Sequence, residues 1–124
     1  MTHSILIADD EPNILISLEF LLKRAGFQVS LACDGQAALD AILRDRPDLV
    51  LLDVMMPKKS GLEVCQAVRA DEACRGVRIL MLTAKGRDTD VAKGLALGAD
   101  AYMTKPFATK DLVQKVRDLL AQPR

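Results

Sequence analysis

With 124 residues, half of them hydrophobic, the chain is long enough for one domain with a buried core and too short for two, so residues 1–124 are read as a single domain. Its 17 basic and 17 acidic side chains cancel, which argues against direct nucleic-acid binding and against an anionic membrane surface. No apolar run approaches the roughly 18 residues that span a bilayer, and no basic, apolar leader precedes the first strand-like run. A cytoplasmic protein is therefore expected.

Residues 4–8, Ser-Ile-Leu-Ile-Ala, read as a first strand. Pro12 suits a first helical turn, and Ile14, Leu15, Leu18, Leu21, Leu22 and Ala25 then recur at helical spacing until Gly26 stops the helix. Residues 28–32 alternate like an edge strand. Ala37, Ala38, Ala41 and Ile42 mark a second helix that ends before Pro47. Residues 48–53 contain the unbroken apolar run Leu49 to Leu52, the pattern of a strand covered on both faces. Leu62, Cys65 and Val68 mark a third helix. The strand at 78–83 repeats the buried pattern in Ile79 to Leu82. Val91 to Leu97, with Gly98 as its cap, form a fourth helix, followed by a strand at 100–104. Leu112, Val113, Val116, Leu119 and Leu120 form the last helix. Alternating strands and helices predict a parallel α/β sheet with right-handed crossovers and helices on both faces.

Three cysteines, Cys33, Cys65 and Cys74, lack metal-ligand spacing and suit reduced thiols, with Cys65 on the apolar face of its helix. His3 is the single histidine, which leaves little room for an imidazole-based nucleophile relay.

The chemistry collects where strands end. Asp9 and Asp10 follow the first strand, Asp53 closes the third, and Lys105 follows the fifth. Each has an ordinary structural reading: Asp9, Asp10 and Glu11 as charges at a helix start, Thr83 as a β-branched strand end, Tyr102 as a half-buried aromatic with a wet hydroxyl. Together they say more. In a sheet ordered 2-1-3-4-5, strands one and three flank the point where strand order reverses, and ligands bind in the crevice that opens there. Crowded carboxylates raise the pKa of at least one of them, and a divalent cation lowers it again. Hard oxygen ligands suit Mg²⁺, and Mg²⁺ beside a lysine suits a phosphoryl group.

These motifs, Asp9-Asp10, Asp53 followed by Met56-Pro57 and Gly61, Thr83-Ala84, and Tyr102 ahead of Lys105-Pro106-Phe107, resemble the receiver domains of two-component response regulators of the chemotaxis-regulator kind. The resemblance spans essentially the whole chain. It implies a flavodoxin-like, doubly wound sheet of five parallel strands in the order 2-1-3-4-5 with five helices. It also implies that Asp53 accepts a phosphoryl group as an acyl phosphate, with Mg²⁺, or Mn²⁺ in its place, held by Asp10, Asp53 and the backbone carbonyl of Met55, and by Asp9 through water. Lys105 and the Thr83 hydroxyl would then engage phosphoryl oxygens, and the Lys105-Pro106 peptide would be cis. Thr83 drawn inward would make room for Tyr102, changing a face of roughly residues 86–120.

Partners implied are a histidine kinase or histidine phosphotransfer protein, small acyl phosphates as a further donor, and a downstream protein effector or an output domain elsewhere. A phosphorylation-dependent dimer stays open, as does whether the chain is a complete regulator or part of a longer one. Two departures stand out. Val91, Leu97 and Ala101 occupy positions where charges are expected, suggesting an apolar patch on the output face. Met55 and Lys85, two residues beyond Asp53 and Thr83, are poor acceptors for orienting water, which predicts slow self-dephosphorylation. Among rivals, a flavodoxin-like electron carrier is disfavoured because Asp9-Asp10-Glu11 would repel a cofactor phosphate. An aspartyl-phosphate hydrolase would need a second acid where Met55 stands. A degenerate receiver acting only as a docking module conflicts with the retained acids and lysine.

Overall fold

A computed structural model describes residues 2–122. Five parallel strands, β1 (Ser4–Ala8), β2 (Gln28–Ala32), β3 (Leu49–Asp53), β4 (Arg78–Ala84) and β5 (Ala101–Lys105), form one sheet in the order β2-β1-β3-β4-β5. Helices α1 (Pro12–Arg24), α2 (Gly35–Asp45), α3 (Gly61–Ala70), α4 (Asp88–Ala96) and α5 (Thr109–Ala121) link and cover the strands, with a 3₁₀ turn at Glu72–Cys74 that the sequence reading lacks. The predicted fold class is the observed one.

Strand alternation sorts the core into two layers. Leu6, Ala8, Val50, Leu52, Ile79 and Met81 point to the side covered by Ala38, Leu39 and Ile42 of α2 and by Val64, Cys65 and Val68 of α3. Their neighbours Ile5, Ile7, Leu49, Leu51, Leu80 and Leu82 point to the other side, against Leu15, Leu18 and Leu22 of α1 and Leu112, Val116 and Leu119 of α5. Each of the valine, leucine, isoleucine and methionine side chains among them contributes roughly 1.5–3 kcal/mol when taken from water. The central strands are apolar on both faces for this reason. Edge strand β2 is mostly exposed, and Leu31 within it is one of the exposed large apolar residues.

The helix ends follow local chemistry. Asp34 caps α2 by accepting from the Ala37 N–H at 2.7 Å, and Ser60 with Glu63 forms a reciprocal capping box at α3. Pro12 opens α1, yet no side chain caps that helix: the carboxylate of Asp9 instead accepts from the Glu11 N–H at 2.9 Å. Gly26 and Gly98 take positive φ just beyond α1 and α4, as helix stops do. Helix α4 starts at Asp88, earlier than its apolar pattern suggests, because Asp88 and Asp90 supply acids to its first turn. It differs from the others in what it buries, which is Asp90, ion-paired to Arg87, and Gly94.

At the rim where the strands begin, Arg69 of α3 is held by Asp100 at 2.9 Å and donates to the carbonyls of Gly98 and Val77. Asp100 also accepts from the Ile79 N–H at 2.8 Å. This network ties α3 to the segments entering β4 and β5. The thiols of Cys65 and Cys74 are buried, which pushes both pKa values up and leaves them as packing groups.

Candidate functional site

The strand order makes β1 and β3 neighbours, and their C-terminal ends carry the acids to one rim. Asp9 follows β1, is fully buried, and is anchored by its own N–H to the Ala32 carbonyl at 3.1 Å. Asp10 beside it is exposed. Asp53 is the last residue of β3 and 6% exposed. Carboxylate oxygens of Asp9, Asp10 and Asp53 all lie within 4.8 Å of one another. Lys105, the last residue of β5, reaches across the rim: its Nζ is 2.7 Å from Asp9, 3.6 Å from Asp53 and 4.0 Å from Glu11. Sequence reading did not find Glu11 as a partner of Lys105, because that contact depends on where α1 begins relative to β5.

Burial raises the pKa of Asp53 to about 6, with the Asp9 charge adding to the shift and Lys105 opposing it. The Met55 N–H also opposes it by donating to the Asp53 carboxylate. For Lys105, burial lowers the pKa, but the Asp9 hydrogen bond and the charges of Asp53, Asp9 and Glu11 outweigh it, and the net shift is upward. The ammonium is thus held charged. Three carboxylates against this one ammonium leave two negative charges on a set of oxygen donors, which fits a hard divalent cation such as Mg²⁺.

Thr83 and Tyr102, the two other residues singled out from the sequence, lie on β4 and β5. Thr83 lies near the end of β4, one position beyond the pairing of Asp53 with Leu82. Its hydroxyl is buried and has no hydrogen-bond partner among the described residues, a costly state in a resting protein. The Lys105-Pro106 peptide is cis. Gly61 is required by contact, since a methyl there would overlap the carbonyl oxygen of Asp53, while its N–H donates to the Val54 carbonyl at 2.8 Å. Tyr102 stands on β5 and is 45% exposed.

The chain matches the response regulator receiver domain family over residues 5–117. It belongs to that family. A protein described as a response regulator from Chloroflexus aurantiacus is 36% identical, with a TM-score of 0.93 over 98% of this chain and 100% of the other. The chemotaxis response regulator CheY4 of Vibrio cholerae is 31% identical, with a TM-score of 0.90 over 96% of this chain and 99% of its own. The BeF3-activated DrrB receiver domain is 32% identical, with a TM-score of 0.87 over 98% and 100% of the two chains.

One expectation for this receiver changes in the structure. Leu97 and Ala101, read as parts of a surface patch, are half-buried and pack against the α2–α3 and α1–α5 core layers respectively. Side-chain direction, which residue type does not report at the end of α4 or the start of β5, decides this. The exposed large apolar side chains between 86 and 120 are Leu95 and Tyr102. Among the described residues, no helix is long and apolar enough to cross a membrane.

Proposed function

We propose that this receiver is a phosphorylation-activated switch of a phosphorelay, with Asp53 as the phosphorylated residue. A single observation carries the reading: the Asp53 carboxylate, buried at a strand end, lies beside two further acids and 3.6 Å from the Lys105 ammonium. Such a carboxylate is a nucleophile placed where phosphoryl charge can be neutralised.

Asp10, Asp53 and the Met55 backbone carbonyl would hold Mg²⁺, or Mn²⁺ with the same donors, and Asp9 would assist through water. Bound there, the ion would supply charge neutralisation to the transferred phosphoryl oxygens. An Asp53 oxygen attacks phosphorus as the phosphorus–nitrogen bond of a phosphohistidine breaks, giving an acyl phosphate on Asp53 and a free histidine on the donor. Lys105 pairs with one phosphoryl oxygen as a compact charge already seated beside Asp53. The Thr83 hydroxyl, free to donate, takes another. Its inward shift opens space for the Tyr102 ring, and the face of roughly residues 86–120 changes its preferred partner.

The donor is a histidine kinase or phosphotransfer protein, with small acyl phosphates as an accessory source, and the recipient is a protein effector or attached output domain. Residues 1–124 act as one receiver unit in the cytoplasm. Incubation with acetyl phosphate and Mg²⁺, followed by intact-mass spectrometry, should show one added phosphoryl group on the wild type and none on Asp53→Ala. Equal modification of both proteins would refute the assignment, as would none on either in the presence of a competent phosphohistidine donor.

A further inference from the structure

The loop that leaves the site, residues 54–60, is held from outside by the start of α2. The Gly35 N–H donates to the Pro57 carbonyl at 3.1 Å, and the Lys59 N–H returns to the same carbonyl at 2.8 Å. Gly35 has no positive φ, so its backbone conformation does not require glycine. Contact does: a methyl there would overlap the carbonyl oxygen and the side-chain Cβ of Lys59. The neighbouring Lys58 takes φ 71, an unfavourable value for a side-chain-bearing residue, and its ammonium lies 3.7 Å from Asp34, the cap of α2. At its other end the loop closes on itself through the Gly61 N–H and the Val54 carbonyl. Met55, two residues beyond Asp53, lies between these fixed points.

We infer that Gly35 is a positioning residue for the metal-ligand loop: by letting α2 press against Pro57–Lys59, it fixes where the Met55 carbonyl and N–H sit relative to Asp53. The inference rests on the metal assignment of the proposed function. It also makes α2, on the opposite side of the sheet from α1 and α5, a part of the site's support. Displacing a group that orients ligands without binding metal typically weakens metal affinity by about tenfold or more.

Isothermal titration of MgCl₂ into the intact chain tests this, using wild type, Gly35→Ala and Gly98→Ala. Gly98 is the control: it has φ +109, and a methyl there would lie 2.8 Å from Arg69 Cγ, so its substitution strains the fold away from the acidic cluster. The expected result is Mg²⁺ binding about tenfold weaker in Gly35→Ala and near wild type in Gly98→Ala. Equal affinity of Gly35→Ala and wild type overturns the inference, as does an equal loss in both variants. Failure of wild type itself to bind Mg²⁺ overturns the metal assignment instead, so the two failures are distinct. Should Gly35→Ala not fold, hydrogen exchange on wild type decides. Coupling is reciprocal, so Mg²⁺ should slow exchange of the Gly35 amide several-fold, and an unchanged rate overturns the inference.

Discussion

The two rims of the sheet handle buried charge in opposite ways. Where the strands begin, Arg69 and Asp100 neutralise each other and also hydrogen-bond backbone groups of Cys74, Val77, Gly98 and Ile79. Where the strands end, one lysine faces Asp9, Asp53 and Glu11, with Asp10 alongside. The first rim is balanced and the second carries surplus negative charge. Balanced networks fix structure, and surplus charge held in place asks for a cation or an electrophile.

Breaking the balanced rim should cost the most stability. Arg69→Ala takes the paired cation from half-buried Asp100 and removes donors from the carbonyls of Cys74, Val77 and Gly98, so chemical denaturation should show a loss of about 2–3 kcal/mol, discounted from the fully buried case because both side chains keep some solvent. Mg²⁺ affinity should stay within about twofold of wild type, since sites without shared partners act independently.

The crowded rim should respond in reverse. Asp10→Asn removes a charge from an exposed side chain, so the fold should hold while Mg²⁺ affinity by titration calorimetry falls about tenfold, or ~1.4 kcal/mol. A smaller effect follows from Asp53. Its folded pKa, about 6, lies above the ordinary 3.8, so the protonated form is favoured by folding. The stability it lends is complete below the ordinary value and is lost as pH rises through about 6. Thermal melts of the metal-free protein from acid to neutral pH should show this decline, which Asp53→Asn should lack, and added Mg²⁺ should offset it at the upper end. The smallest effect concerns phosphate lifetime: Met55→Asn offers an acceptor to the attacking water, and loss of phosphate followed on a Phos-tag gel should accelerate several-fold.

How much of this was legible in the chain depended on range. Leu49 to Leu52 and Ile79 to Leu82 announce two-sided burial by composition, so the central strands fall within a residue of their predicted ends. Asp9, Asp53 and Lys105 announce themselves by ending strands. The strand order and the cis bond before Pro106 came from the family likeness rather than from any local pattern. Arg69 with Asp100 left no trace, because the two are far apart in sequence and nothing near either residue marks the other as its partner. Gly35 was equally silent: its need for a missing side chain arises from Lys59, a residue on the loop between β3 and α3. The patch at Leu97 and Ala101 failed because residue type reports polarity but not direction.

Helix α4 carries one last implication. Helices α1 and α5 each sink three large aliphatic side chains into the core, whereas α4 sinks an ion-paired acid and a glycine. Little apolar area is forfeited if it tilts or frays, so it should be cheaper to displace than α1 or α5, and its amides should trade protons with solvent sooner than theirs. Under the proposed switch, a signal of a few kcal/mol, the scale of one or two charge-assisted hydrogen bonds, would suffice to reset its orientation.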